Sequence, residues 1–127
     1  MPTFFQLVHY PRVRKHHKVR PTVLRGCPQR KGIVLKVLHL SPKKPNSAIR
    51  KAAKIKLVTG KKLRAGIPGH GHNLQQFSNV LVCGGRVKDV PGISYKLIRG
   101  KFDLSNVQRI ERRKGRSRWG LPKLRLK

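Results

Sequence analysis

The residues best suited to chemistry lie in one short stretch, residues 41–48, which we call the central loop. Its candidate residues are two prolines, two lysines, an asparagine and a serine: Pro42, Lys43, Lys44, Pro45, Asn46 and Ser47. The prolines fix φ at about −65° and favour extended backbone in the residues before them, which stiffens the loop. The lysines suit phosphate, and the short polar side chains can donate and accept hydrogen bonds. The stretch predicts contact with a nucleic-acid backbone or groove, although such residues also occur in solvated turns.

Histidine and cysteine are the residues that an enzyme or a metal site would use. A small RNA nuclease could combine His70 or His72 with Lys88 for acid–base catalysis, but paired carboxylates and an activated nucleophile are missing from the sequence. A metal site built from His70, His72 and Cys83 would need a further ligand and hydrogen-bonded support. Cys27 and Cys83 are too few for a disulfide framework, and we expect reduced, buried thiols. We predict no enzyme, no metal site and no cofactor.

Charge identifies the class of partner. The 127 residues include 32 lysines and arginines but three acids, Asp89, Asp103 and Glu111, for a formal net charge of +29. A domain with this imbalance repels itself and fits beside a densely negative partner such as nucleic acid. No apolar run approaches the roughly 20 residues of a spanning helix, so we expect no membrane partner. The hydrophobic content of 37% predicts a modest core with basic extensions that order on binding.

Hydrophobic patterning predicts a small all-β domain. Pro2 precedes a short helix over residues 3–8. Alternating and β-branched runs then predict strands at residues 31–40, 48–59, 62–67, 80–83 and 93–99. The second and third of these are joined by a hairpin turn at Gly60. Five short strands favour a closed oligonucleotide-binding barrel. The expected division is a basic N-terminal arm at 1–29, the barrel at 30–100 and a basic tail at 101–127.

Further basic residues are candidate RNA contacts. The second loop, residues 86–92, contains Arg86, Lys88, Asp89 and Pro91. Within it, the aspartate could simply be a local partner for the neighbouring arginine or lysine. The tail carries arginines suited to forked phosphate contacts and a tryptophan that can stack or pack, although a solvated tail is the alternative for the free protein. The arm, barrel and tail candidates are Arg12, Arg14, Lys15, Arg20, Arg30, Lys31, Arg50, Lys51, Arg112, Arg113, Arg116 and Arg118.

Five motifs in register closely resemble the family of protein twelve of the small ribosomal subunit. They are CPQRKG at 27–32, PKKPNSAIRK at 42–51, PGHGHNLQ at 68–75, GGRVKDVPG at 84–92 and GRS at 115–117. Their order and spacing match across nearly the whole chain. The resemblance implies an oligonucleotide-binding barrel whose N-terminal arm is threaded into ribosomal RNA, and a structural role without covalent chemistry.

The resemblance also implies roles for the two loops at the decoding centre, where they would help to set translational accuracy. Pro45 and Ser47 match positions near the later codon–anticodon pairs, and Lys43 and Lys44 match positions that brace rRNA phosphates. The second loop matches the other decoding-side loop, in which Asp89 is a candidate modification site. The implied partners are small-subunit rRNA, neighbouring ribosomal proteins, the codon–anticodon helix of mRNA and A-site tRNA, and, transiently, elongation factors.

Departures from the family pattern bear on location and on one tRNA contact. His70 stands where an acid is usual, Gln76 and Phe77 replace a Glu-His pair, and Cys83 replaces an arginine. The family histidine is associated with tRNA and elongation factor, and we do not transfer that role to Phe77. The scarcity of acids and a start at the family's mature N-terminus predict an organelle-encoded copy in the mitochondrion, with chloroplast or bacterial cytoplasm as alternatives.

The rival function is a free RNA-binding or RNA-chaperone module on the same barrel. Modules of that class generally use exposed aromatic side chains to stack on bases. Aromatic residues make up 6% of this chain, and the central loop has none. The ribosomal function is therefore favoured.

Overall fold

Five strands close into a barrel in the part of the chain that the structure describes. The computed structural model describes residues 1–14, 22–108, 112 and 114–123. Its helix and strands are α1 (Phe4–His9), β1 (Gln29–Leu40), β2 (Arg50–Leu57), β3 (Lys62–Gly66), β4 (Asn79–Gly84) and β5 (Tyr95–Leu97). Short 3-10 helices lie at Thr22–Leu24 and Ser117–Trp119. Within these ranges, no helix has the length and apolar character needed to cross a membrane.

The barrel closes in the order β1-β2-β3-β5-β4. All neighbouring strands are antiparallel except β3 and β5, which run parallel. The long strand β1 pairs with both β4 and β2, and its register with β2 shifts between Val34 and Lys36. Such an irregularity bends a strand and lets it pass from one neighbour to the other. The predicted all-β fold is confirmed, and the closed barrel is consistent with an oligonucleotide-binding barrel.

The core follows from the alternation of side chains along the strands. On β2, Ala53, Ile55 and Leu57 are buried whereas Lys54 and Lys56 are exposed, as the period of two predicts. The main cluster also contains residues from the other strands, from the loop between β3 and β4 and from the segment after β5: Val34, Leu63, Ala65, Leu74, Val80, Val82, Leu97 and Leu104. The division into arm, barrel and tail stays a prediction.

Residues outside the predicted barrel limits also contribute buried side chains. Leu24 precedes β1 and is 2% exposed, and Val107 follows β5 and is 3% exposed. The main-chain carbonyl of Leu24 accepts a hydrogen bond from Nε of Arg30 at 3.0 Å, which fixes the entry into β1. Buried side chains therefore occur in the segments before β1 and after β5 as well as in the strands.

The predicted helix and strands are present with shifted bounds, and the expectation about the thiols is not met. The predicted short helix begins at Phe4, after a capping box formed by Thr3 and Gln6. The predicted strand at 93–99 is shorter, because β5 pairs through only two residues with β3 and through three with β4. The expectation of buried thiols is wrong for Cys27, which is exposed in a turn. Cys83 is only half-buried.

Candidate nucleic-acid interface

Contacts made by one aspartate join the central loop to the second loop. The main-chain N–H of Lys43 donates to the main-chain carbonyl of Asp89 at 2.9 Å. The carboxylate of Asp89 accepts from Nδ2 of Asn46 at 3.5 Å and from a guanidinium nitrogen of Arg50 at 3.3 Å. The ion pair therefore runs across to β2, and the expected local pairing with Arg86 or Lys88 is replaced by a connection between the loops.

The central loop itself is a closed turn whose candidate side chains face solvent. The main-chain N–H of Asn46 donates to the carbonyl of Lys43 at 3.0 Å, and the peptide bond between Lys44 and Pro45 is cis. Residues 43–48 are all exposed. Ala48, which follows Ser47, has a φ of 82°, in the left-handed region that non-glycine residues rarely adopt. The loop thus presents its cations and polar groups from a defined backbone.

The second loop is fixed from beneath by apolar packing. Val90 and Ile93 are 4% and 2% exposed and form a small buried cluster with Ala52 of β2. The main-chain N–H of Val87 donates to the carbonyl of Ile93 at 3.1 Å. Above this base, Arg86, Lys88 and Pro91 are exposed and Asp89 is half-buried.

Charge on the joined loops is strongly unbalanced. Lys43, Lys44, Arg86 and Lys88 are exposed cations, and the carboxylate of Asp89 is already paired with Arg50. Cations held on stiff loops attract phosphate, and short polar groups between them can contact sugar hydroxyls and base edges. The arrangement suits an RNA surface.

A neighbouring loop, residues 68–75, carries His70 and His72, and we call it the histidine loop. Nδ1 of His72 accepts a hydrogen bond from the main-chain N–H of Leu74 at 3.2 Å. Burial lowers the pKa of His72, and the nearby charges of Lys51, Arg99 and His39 lower it further. Both effects disfavour the charged form of the imidazole. In the described ranges, no three histidine, cysteine or acidic side chains are grouped so as to hold a metal ion.

Arg99 is a functional candidate that the sequence did not single out. Its Nε donates to the carbonyl of Pro68 at 2.8 Å, and its terminal nitrogens donate to the carbonyls of Gly71 and Ser105. One guanidinium thus ties the end of the barrel to the histidine loop. Nothing in the local sequence around Arg99 could have revealed its contacts with Pro68 and Gly71, which are about 30 residues away.

The arm, barrel and tail candidates fall into three groups. Arg12, Arg14, Lys31, Lys51 and Arg118 are exposed, and Lys31 lies with its Nζ 5.1 Å from the centre of the Phe102 ring. Arg30, Arg50, Arg112 and Arg116 are half-buried. Lys15, Arg20 and Arg113 lie outside the described residues.

The predicted role of the tail tryptophan in packing has a contact to support it. The guanidinium carbon of Arg112 lies 5.5 Å from the centre of the Trp119 ring, within the range of a cation–π interaction. The main-chain N–H of Trp119 also donates to the carbonyl of Arg116 at 3.0 Å. The guanidinium of Arg112 thus has an intramolecular contact of its own.

Comparison with known proteins gives two agreeing results. The model of the family described as Ribosomal protein S12/S23 matches residues 16–123. The chain is also 50% identical over 120 residues to the small ribosomal subunit protein uS12m of Acanthamoeba castellanii, and the match covers 94% of each chain. Both the barrel and the two joined loops fall within the residues that the family model matches.

Proposed function

Because the chain belongs to the ribosomal protein S12/S23 family, we propose that its two joined loops act at the decoding centre of the small ribosomal subunit. The family is a structural, non-enzymatic component of that subunit, and its members partner ribosomal RNA and other ribosomal proteins. Family membership therefore favours the ribosomal function over a free RNA-binding module. The finer assignment to decoding is supported above all by the contacts of Asp89 that join the loops.

In the proposed role, the loops hold rRNA in the form that accepts a cognate codon–anticodon pair. Lys43 and Lys44 brace rRNA phosphates, whereas Pro45 and Ser47 lie nearest the later codon–anticodon pairs. An RNA minor groove is read by hydroxyl groups and base edges, which suits short polar side chains. The loops need only favour the closed arrangement of the rRNA slightly, since about 1.4 kcal/mol of differential contact changes an acceptance ratio tenfold.

The remaining proposed partners follow from the same placement. The second loop, with Arg86, Lys88, Asp89 and Pro91, faces the A-site tRNA and mRNA from the other side. Asp89 is the proposed modification site. Elongation factors meet this face transiently, and the basic arm and tail extend into rRNA. Ordered contact with rRNA offsets the self-repulsion of a chain with a net charge of +29.

The proposed location is the ribosome of the mitochondrial matrix. The supporting observation is the 50% identity over 94% of the chain to uS12m of Acanthamoeba castellanii. The test is fractionation of mitochondria, in which the chain should sediment with the small subunit through a moderate salt wash. A chain that appears at the top of the gradient would contradict the ribosomal role.

The decoding assignment is tested by changing loop lysines in assembled ribosomes. Lys43→Thr and Lys44→Arg should change the misreading rate of a reporter several-fold while the yield of small subunits stays near normal. Lys54→Gln is a matched control, because it removes an exposed cation from β2 outside the loops. Unchanged misreading in intact ribosomes that contain either loop variant would contradict the assignment.

A further inference from the structure

A groove lies beside the second loop, with the histidine loop as its other wall. Its volume is about 560 Å³, which falls in the range of pockets that hold small ligands. Apolar side chains line part of it, including Ile67, Val87 and Ile93. Basic side chains also line it, namely Arg50, Lys51, Lys96 and Arg99. The groove therefore combines apolar surface with positive charge.

The walls of this groove are fixed by the fold. Gly66 lies in the groove lining, where a Cβ would come within 2.8 Å of Cγ2 of Val87, so a side chain would collide with the second loop. Ile93 holds that loop in the buried cluster with Ala52. On the opposite side, Arg99 holds the carbonyls of Pro68 and Gly71. The space is thus formed by restrained backbone on both sides.

Charge in the groove selects a negative occupant. Among the described residues that line it, none is acidic. Asp89 lies next to it but is engaged by Arg50 and Asn46. The lowered pKa of His72 agrees with this, since Lys51 and Arg99 contribute to the shift after burial. Lys51 is exposed on β2, so its ammonium group can reach an occupant from the solvent side.

Apolar surface distinguishes between negative occupants. A simple anion would satisfy the lysines but would leave Ile67 and Val87 against water. Double-stranded RNA presents a continuous backbone and keeps its bases stacked inside, so it could cover the rim but not fill the groove. An unpaired nucleotide suits both surfaces, because its unstacked base can pack between apolar side chains while its phosphate meets the lysines.

We propose that this groove binds one unpaired RNA nucleotide, with its base against Ile67 and Val87 and its phosphate at Lys51 and Lys96. The inference rests on the proposed placement of the chain against small-subunit rRNA and adds a specific subsite to it. The nucleotide enters beside the second loop, so its capture couples the position of an rRNA strand to the two joined loops.

The test uses small subunits purified from cells that express single-site variants of the full chain. The probe is a reagent that acylates flexible RNA 2′-hydroxyl groups, read out at every nucleotide of the rRNA. Lys51→Gln and Lys96→Gln should each raise the reactivity of the same one or two adjacent nucleotides at least threefold. Lys54→Gln is the matched control on β2 and should leave those nucleotides unchanged, because Lys54 lies outside the groove.

A second pair of variants tests occupancy by volume rather than by charge. Ile49 lines the groove and is 67% exposed, so Ile49→Trp should fill part of the space without disturbing the core. It should raise the reactivity of the same nucleotides. Val58→Trp is the matched control, because Val58 is 77% exposed and lies outside the groove.

The outcomes separate this inference from the decoding assignment. Unchanged reactivity in all three groove variants, in subunits that contain the chain, would overturn the nucleotide site. So would a photo-crosslink from a benzophenone side chain at position 49 that lands on a neighbouring protein instead of rRNA. If Lys43→Thr still changes misreading in these cases, the decoding assignment stands while the groove assignment fails.

Discussion

The main-chain N–H of Lys43 donates to the main-chain carbonyl of Asp89 at 2.9 Å, which joins two loops that are far apart in sequence. Because this bond uses backbone atoms, it does not depend on the identity of either side chain. The carboxylate adds a second connection, to Asn46 and Arg50. The candidate interface therefore behaves as one surface carried by two segments of chain.

Asp89→Asn should weaken this connection with little effect on global stability. The side chains of Asp89 and Arg50 are 40% and 38% exposed, and exposed ion pairs contribute about 0.2–1 kcal/mol. Urea unfolding of Asp89→Asn, Arg50→Gln and the double variant should give a coupling energy within that range. If the free energy of unfolding falls by more than about 3 kcal/mol in Asp89→Asn, the pair is a core element and this interpretation of the loops is wrong.

Local patterns predict the strands well because burial imposes a period of two on each half-buried strand. The alternation of Ala53 and Ile55 with lysines identifies the inward face of β2 from the sequence alone. The partner of Asp89 could not be predicted in this way, because that partner lies far from Asp89 in sequence. The sequence places Arg86 and Lys88 beside it, but barrel closure brings Arg50 across from β2.

The groove was also beyond prediction from the sequence. Its lining comes from separate segments of the chain, and its volume depends on how closely the second loop approaches Gly66. Each segment taken alone predicts an ordinary turn or strand. The central loop was different, because its prolines, lysines and polar residues are adjacent in sequence and point to phosphate contact without knowledge of the fold.

Gly32→Ala should destabilise the barrel. A Cβ at this position would lie 2.6 Å from Cγ2 of Ile55 and 3.0 Å from the main-chain oxygen of Lys56. Because backbone of the paired strand β2 is involved, the overlap cannot be relieved by a side-chain rotation alone, and overpacking of this kind costs about 1–3 kcal/mol. Gly115→Ala is the matched control, since a Cβ there has no atom within 4 Å. Equal midpoints of denaturant unfolding for the two variants would contradict the packing argument.

His72 should make stability depend on pH. Burial, followed by the charges of Lys51, Arg99 and His39, lowers its pKa in the folded protein below the ordinary value of 6.5. Between the two values the unfolded chain binds more protons than the folded chain, so the free energy of unfolding rises with pH there. The contribution of His72 to the free energy of unfolding is constant above about pH 6.5, and it is progressively lost as the pH falls toward the pKa of His72 in the folded protein.

Two variants separate the titration of His72 from its hydrogen bond. The carbonyl oxygen of an asparagine can still accept from the main-chain N–H of Leu74, but it does not titrate, so His72→Asn should flatten the pH dependence of unfolding below about pH 6.5. His72→Ala should flatten it equally while lowering stability at every pH, because the N–H loses its acceptor. Unfolding midpoints measured from about pH 5 to about pH 8 distinguish the loss of titration from the loss of the hydrogen bond. A steeper decline with acid in either variant than in the wild type would show that the sign is wrong.

Truncation of the arm should separate incorporation into the subunit from folding of the barrel, but only if the cut is placed correctly. Residues 1–14 are all exposed, so their removal should leave the thermal unfolding of the barrel near that of the full chain. Removal of residues 1–25 also deletes Leu24, which is 2% exposed, and the carbonyl that accepts from Arg30. Losing this buried leucine should cost about 2–5 kcal/mol, and Leu24→Ala in the full chain should reproduce much of that loss.

The shorter truncation is therefore the informative one for the role of the arm. We expect the chain without residues 1–14 to show the circular dichroism of the full barrel and to be recovered poorly in small subunits, because Arg12 and Arg14 are exposed cations available to rRNA. Leu24→Ala should show the reverse, with a weakened barrel whose arm is intact. Recovery of the shorter truncation in subunits at the level of the full chain would show that these residues do not contribute to assembly. The basic contacts that matter would then lie in the barrel and the tail.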